Sequence, residues 1–217
     1  MSGKQGLKLR FERMGLLLKA MKFNSFLPLI FIDLLVPLVN FAVYRNKGAS
    51  VEFTTTVFSM IHILVPLFSC WWVVFSLRFF YDEKGSEILF VNSDRNKLTD
   101  VFILFFIMIV NVSLTFIPYY FFIEQFFLFH INVLLVCFFY LGVAYFVTTV
   151  FKSITPTVMV LVIYILANLM SPLSVTTFPF YFLSEGLMGI LYCGLPLALC
   201  SLILLGIGVK LGKNNIK

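Results

Sequence analysis

The sequence predicts an all-α integral membrane protein with six transmembrane helices and both termini on the inner side. Three observations carry this expectation. The 217 residues are 61% hydrophobic and only 12% charged, with a mean hydropathy of +1.02. Soluble domains are about 45–50% apolar and about 25% charged, and a globule of this size leaves too much surface in water to hide the excess. The apolar residues also fall into six stretches, each near the ~20 residues a helix needs to cross a bilayer. Finally, Lys and Arg are spread unevenly between those stretches, which sets orientation.

Residues 4–22 come first. Leu7, Phe11, Met14, Leu18 and Met21 recur at spacings of three and four, while Lys8, Glu12, Arg13, Lys19 and Lys22 supply a polar side. This pattern predicts a helix lying in the membrane interface, its basic side chains toward anionic headgroups; a plain basic anchor is the alternative. No small-residue cleavage site follows the first apolar run, so the segment is read as retained and cytoplasmic rather than as a signal peptide.

The six expected spans are 25–44, 57–80, 100–123, 131–151, 154–171 and 187–209, and only Lys152-Ser153 separates the fourth from the fifth. With both termini inside, fourteen of the sixteen Lys and Arg residues fall on the inner side and only Arg45 and Lys47 on the outer. That asymmetry also favours an even number of spans.

Two connections stand out. Residues 81–100 read YDEKGSEILFVNSDRNKLTD, the most charged part of the chain, on the inner side. Asp82 and Glu83 precede Ile88, Leu89, Phe90 and Val91, and Asn92-Ser93-Asp94 stops the run. A short helix with one apolar side is expected, and an apolar patch exposed there reads as a docking surface; an ordinary loop is the alternative. Residues 172–186, PLSVTTFPFYFLSEG, are external, aromatic, too short to span and broken by Pro172 and Pro179. They read either as a re-entrant element whose backbone groups protein must cover, or as a loop with an interfacial aromatic belt.

Asp33 lies inside the first span and His62 inside the second. Ionisable groups at such depth are costly and face protein or water, so both are candidates for a substrate path, with hydrogen-bonded packing as the alternative. Their depths differ, so they are not expected to pair. Glu124 and His130 flank a short external turn and are expected at the water boundary. Cys70, Cys137, Cys193 and Cys200 lie in apolar stretches without metal or scaffold spacing and read as small core residues facing helices or lipid. The sequence holds no P-loop, HExxH or GxSxG motif. No catalytic residue and no metal ligand is therefore expected. The net charge of +6 sits between apolar runs, which points to a membrane surface and not to nucleic acid.

This layout resembles the membrane (permease) subunit of a type-2 ATP-binding-cassette exporter. The closest local match is RFFYDEKGSEILFVNSDRNKLTDVFILFF, residues 78–106, with the acidic-Gly-x-Glu-hydrophobic run at Glu83, Gly85, Glu87, Ile88 and Leu89 and a basic residue, Lys97, entering the third span. A second is GVAYFVTTVFKSITPTVMVLVIYIL, residues 142–166, with its Phe-Lys-Ser step between spans. The resemblance implies that 82–99 is a coupling helix docking on a separate ATPase. It implies that 4–22, with Arg10, Phe11, Arg13, Met14 and Lys19, is the connecting helix beside it. It further implies a second membrane subunit, identical or different, and an ATPase dimer that binds ATP and Mg while this chain binds no cofactor. The location implied is the cell (plasma) membrane of a bacterium. The chain is short for that family, which leaves little room for an external domain. A peptide or an amphipathic, lipid-like molecule is the expected substrate. Two other readings stand beside this one: an ion-coupled secondary transporter or channel using Asp33, and a membrane sensor or enzyme subunit without an ATPase. The two halves share no evident inverted repeat of the kind secondary transporters carry.

Overall fold

Proline, glycine and serine decide where the helices begin, break and end. The computed structural model describes residues 15, 16, 18–81, 97–124, 126–170 and 190–214. Arg10, Phe11, Arg13 and Met14 of the expected connecting helix, Glu83, Gly85, Glu87, Ile88 and Leu89 of the expected coupling helix, and the segment 172–186, expected to be external, lie outside the described residues.

Residues 15, 16 and 18–20 are helical, and Lys22, at φ +51°, bends the chain before the first long helix. That helix, α1 (Lys22–Lys47), opens with a 3-10 turn at Lys22–Ser25 and holds a π turn at Ile30–Leu35. Gly48 ends it at φ +62°, its N–H donating to the Tyr44 carbonyl at 2.7 Å; glycine takes this conformation without a Cβ penalty. Two residues later the Ser50 hydroxyl accepts the Phe53 N–H at 3.2 Å and starts α2 (Val51–Tyr81), six residues ahead of the expected stretch. Thr55 and Thr56 fold their hydroxyls back onto carbonyls one turn earlier. That removes the competition with the backbone that would otherwise disfavour helix there.

Pro66 withholds one helical hydrogen bond, and α2 breaks four residues on, at Cys70, into Val51–Ser69 and Trp71–Tyr81. Helix α3 runs over Lys97–Thr115 and, after a turn at residues 116–118, adds Tyr119–Phe122. Helix α4 (Phe126–Phe151) starts five residues before the expected span. A tight turn follows, with Lys152 at φ +51° and the Ser153 hydroxyl accepting the Thr155 N–H at 3.4 Å. Helix α5 is Ile154–Met170, and α6 joins a π turn, Ile190–Gly194, to Leu195–Asn214.

Among the described residues the chain is all-helical, and five helices (α1, α2, α3, α4 and α6) are long and apolar enough to cross a membrane. This is compatible with a multi-pass membrane protein. Helix α5, with 17 residues, reaches about 26 Å at ~1.5 Å per residue, short of a ~30 Å hydrocarbon core.

Helix α4 is the centre of the bundle. It packs on both halves of α2, on α5 and most extensively on α6. Small residues permit the α4–α6 approach: a Cβ on Gly142 would lie 2.5 Å from Ser201 Oγ and 2.8 Å from its Cα. Ser201 in turn donates to the Phe138 carbonyl at 2.7 Å. Hydroxyls of Thr148 and Thr157 meet at 2.7 Å between α4 and α5. By contrast, only 22% of the most apolar stretch of α1 is buried, against 61% for α4.

Candidate functional site

The site begins with Pro37. In a regular α-helix its ring would crowd the carbonyl of Asp33, four residues back, and leave that carbonyl without a donor. Helix α1 instead widens just upstream. Over Ile30–Leu35 it is a π-helix, and the Val36 N–H donates five residues back, to Phe31. Single π turns inside α-helices concentrate at functional sites. Asp33 sits in this turn, about 16 Å along the axis from Lys22 at ~1.5 Å per residue, near the middle of the helix.

The Asp33 side chain points outward from the bundle, among the exposed Leu34 and Leu38 of α1 and Val110 and Leu114 of α3. It is not bare. The Asn111 amide nitrogen donates to Oδ1 at 2.9 Å and to Oδ2 at 3.1 Å, and the Thr115 hydroxyl lies 2.6 Å from Oδ1. Both partners are donors and neither is basic, so the carboxyl is held as an acceptor without a countercharge among the described residues.

Thr115 also forms the inner edge of a cavity of about 300 Å³ between α1 and α3. Helix α1 lines it with Pro37, Asn40, Phe41 and Tyr44, and α3 with Pro118, Tyr119 and Phe122. Phe53 of α2 closes the far end, its ring 5.4 Å from that of Tyr44 and edge-on. Asn40 is only 3% exposed. Its Nδ2 donates to the Tyr119 hydroxyl at 2.8 Å, while its Oδ1 is buried with no partner. Turning the amide would exchange the two atoms, and one would still lack a partner. The cavity wall is thus aromatic and apolar, with a buried amide on its side and a carboxyl one residue beyond its edge.

His62 does not join this cluster. It lies half-buried on α2, and Asp33 meets Asn111 and Thr115 instead. His130, expected like Glu124 at the water boundary, has its side chain enclosed by protein. It is buried, packed edge-on against Phe116 with ring centroids 5.4 Å apart, and its ring nitrogens meet the hydroxyls of Tyr120 and, at 3.4 Å, Ser113. Its place one turn into α4, facing the end of α3, takes it inside; Glu124, in the turn before the helix, stays exposed. Cys70 and Cys137 are buried as expected, and Cys200 is exposed.

A second feature ties the chain start to the bundle. The indole N–H of Trp71 donates to the Asn24 carbonyl at 3.1 Å, and that of Trp72 to the Ser25 carbonyl at 2.8 Å. Lys19 is exposed just ahead of this joint, and Lys97 opens α3 on the far side of the charged segment.

Asn40, Asn111, Thr115 and Tyr119 were not singled out from the sequence, yet the signal was present. Asn111, Thr115 and Tyr119 are spaced by four and share one helical face, and Asn40 follows Asp33 by seven residues, two turns on. No group of three or more His, Cys, Asp or Glu side chains placed to hold a metal occurs among the described residues. Comparison with protein-family models, with curated proteins and with solved structures finds no match to this chain.

Proposed function

We propose that this chain is the membrane subunit of an ATP-driven exporter of the type-2 ATP-binding-cassette kind. In this reading it has six spans with both termini inside, pairs with a second membrane subunit and is driven by separate ATPase subunits. It moves a peptide or an amphipathic, lipid-like molecule. The observation that supports it most is the Trp71–Tyr81 half of α2. This rod begins at the break at Cys70, grips the start of α1 through two indoles, and ends at the charged segment that follows Tyr81. It also packs on α3, α4 and α5. A push on the charged segment would therefore reach the start of α1 through this half of α2. The charge distribution puts that segment on the cytoplasmic side, where an ATPase would find it.

The test is co-purification with a P-loop ATPase and its dependence on 82–99. The double variant Glu87→Ala/Leu89→Ala should lose ATPase binding while the membrane bundle elutes unchanged. Undiminished ATPase binding and transport would remove the coupling assignment. Asp33, with its two donors and no basic partner among the described residues, specifically favours a second reading, an ion-coupled transporter. Transport by the purified chain alone on an ion gradient, abolished in Asp33→Asn, would establish that reading and displace the first.

A further inference from the structure

We infer that the cavity between α1 and α3 is a binding site for a hydrophobic organic cation. Three observations converge on this ligand class. The carboxyl of Asp33 stands one residue beyond its inner edge, on Thr115, held by two neutral donors and lacking a countercharge among the described residues. In a bilayer an acidic group at that depth is stable only against protein, water or a cation, and the face it occupies is otherwise apolar. The wall presents Phe41, Tyr44 and Phe122, whose ring faces attract a desolvated cation. The volume of about 300 Å³ falls at the lower end of small-ligand pockets, roughly 300–1,000 Å³.

An anion finds only repulsion at Asp33. A neutral lipid tail would fill the apolar wall but leave the carboxyl unanswered. A cation with an apolar body answers both: its charge at Asp33 and its body between Phe41 and Phe122. The opening faces outward between α1 and α3, so the ligand enters sideways from the membrane. That the bound cation is exported rests on the function proposed above; that it binds does not.

The purified chain in discs of neutral phosphatidylcholine is titrated with radiolabelled tetraphenylphosphonium. Tetraphenylborate, equal in size and opposite in charge, is titrated in a separate experiment. Saturable binding of the cation is expected that exceeds protein-free discs, with none for the anion. Asp33→Asn should weaken it about tenfold, the ratio expected when one charge contact is lost. Phe122→Ala should weaken it about threefold, in line with one aromatic wall; Phe122 is 65% exposed, so the fold tolerates that change. The inference is overturned if binding does not exceed that of empty discs, if the anion binds equally well, or if both variants bind like the parent. Should Asp33→Asn not fold, Phe122→Ala decides alone. Cation binding by a chain that recruits no ATPase would sink the exporter and leave the site standing, and an ATPase partnership without cation binding would do the reverse.

Discussion

In α1 and in α6 a π turn ends two residues before a proline: Leu35 before Pro37 in the first, Gly194 before Pro196 in the second. The same local cause acts in both, since each proline withdraws a donor from the turn before it. The surroundings then separate them. In α6 the widened turn lies against α4, and a Cβ on Gly194 would stand 2.6 Å from Leu135 Cδ1 and 2.9 Å from Asn132 Oδ1. In α1 the widened turn faces outward and carries Asp33. The proline decides where a helix widens, and the neighbour decides what the wide turn does: close packing in one case, presentation of a carboxyl in the other.

The largest effect expected belongs to the packed side. Gly142→Leu drives a side chain into the backbone of α6 and should lower stability by about 3 kcal/mol, at the upper end of overpacking costs, read from thermal unfolding in detergent. Next come the two prolines. Pro196→Ala allows α6 to regularise and turns Gly194 out of its contact, for a loss of about 2 kcal/mol. Pro37→Ala regularises the unpacked α1 and should change stability by less than about 1 kcal/mol, yet it rotates Asp33 away from Asn111 and Thr115 and abolishes tetraphenylphosphonium binding. Equal destabilisation by both alanines would break the comparison. Thr115→Val removes one donor from Asp33 and should cost about 0.6 kcal/mol, the mean for such bonds between membrane helices. Smallest is Glu52→Ala, which deletes an exposed ion pair to Lys47 at 3.0 Å and should cost less than about 0.5 kcal/mol.

The positions of the helices were legible because apolar length and turn chemistry are local. Their starts were less so: Ser50 capped α2 earlier than hydropathy alone places it, since three threonines and Glu52 lower the apolar signal of a stretch that is nonetheless helical. Asp33 stood out as an acidic residue in an apolar run. Its partners did not, because Asn111 and Thr115 are neutral and their significance depends on α3 lying beside α1, a fact of packing between residues 78 and 82 positions apart. Pro37, four residues after Asp33, was visible in the sequence, but a proline there is compatible with a kink, a break or a π turn. The α4–α6 seam was hidden for a similar reason: Gly142, Gly194 and Ser201 acquire meaning only once the two helices touch.

The joint between Trp71-Trp72 and Asn24-Ser25 differs from these in what it asks of each side. Both indoles hold main-chain oxygens. A single such bond would be a swivel; two, from adjacent residues to adjacent carbonyls, form a bracket that fixes angle as well as position. The bracket is indifferent to the Asn24 side chain, so Asn24→Ala should leave it whole while Trp72→Phe opens half of it. Sequence drift is therefore free at the entry to α1 and forbidden on α2, and the segment before α1 can change its charge or its partner without coming loose from the bundle.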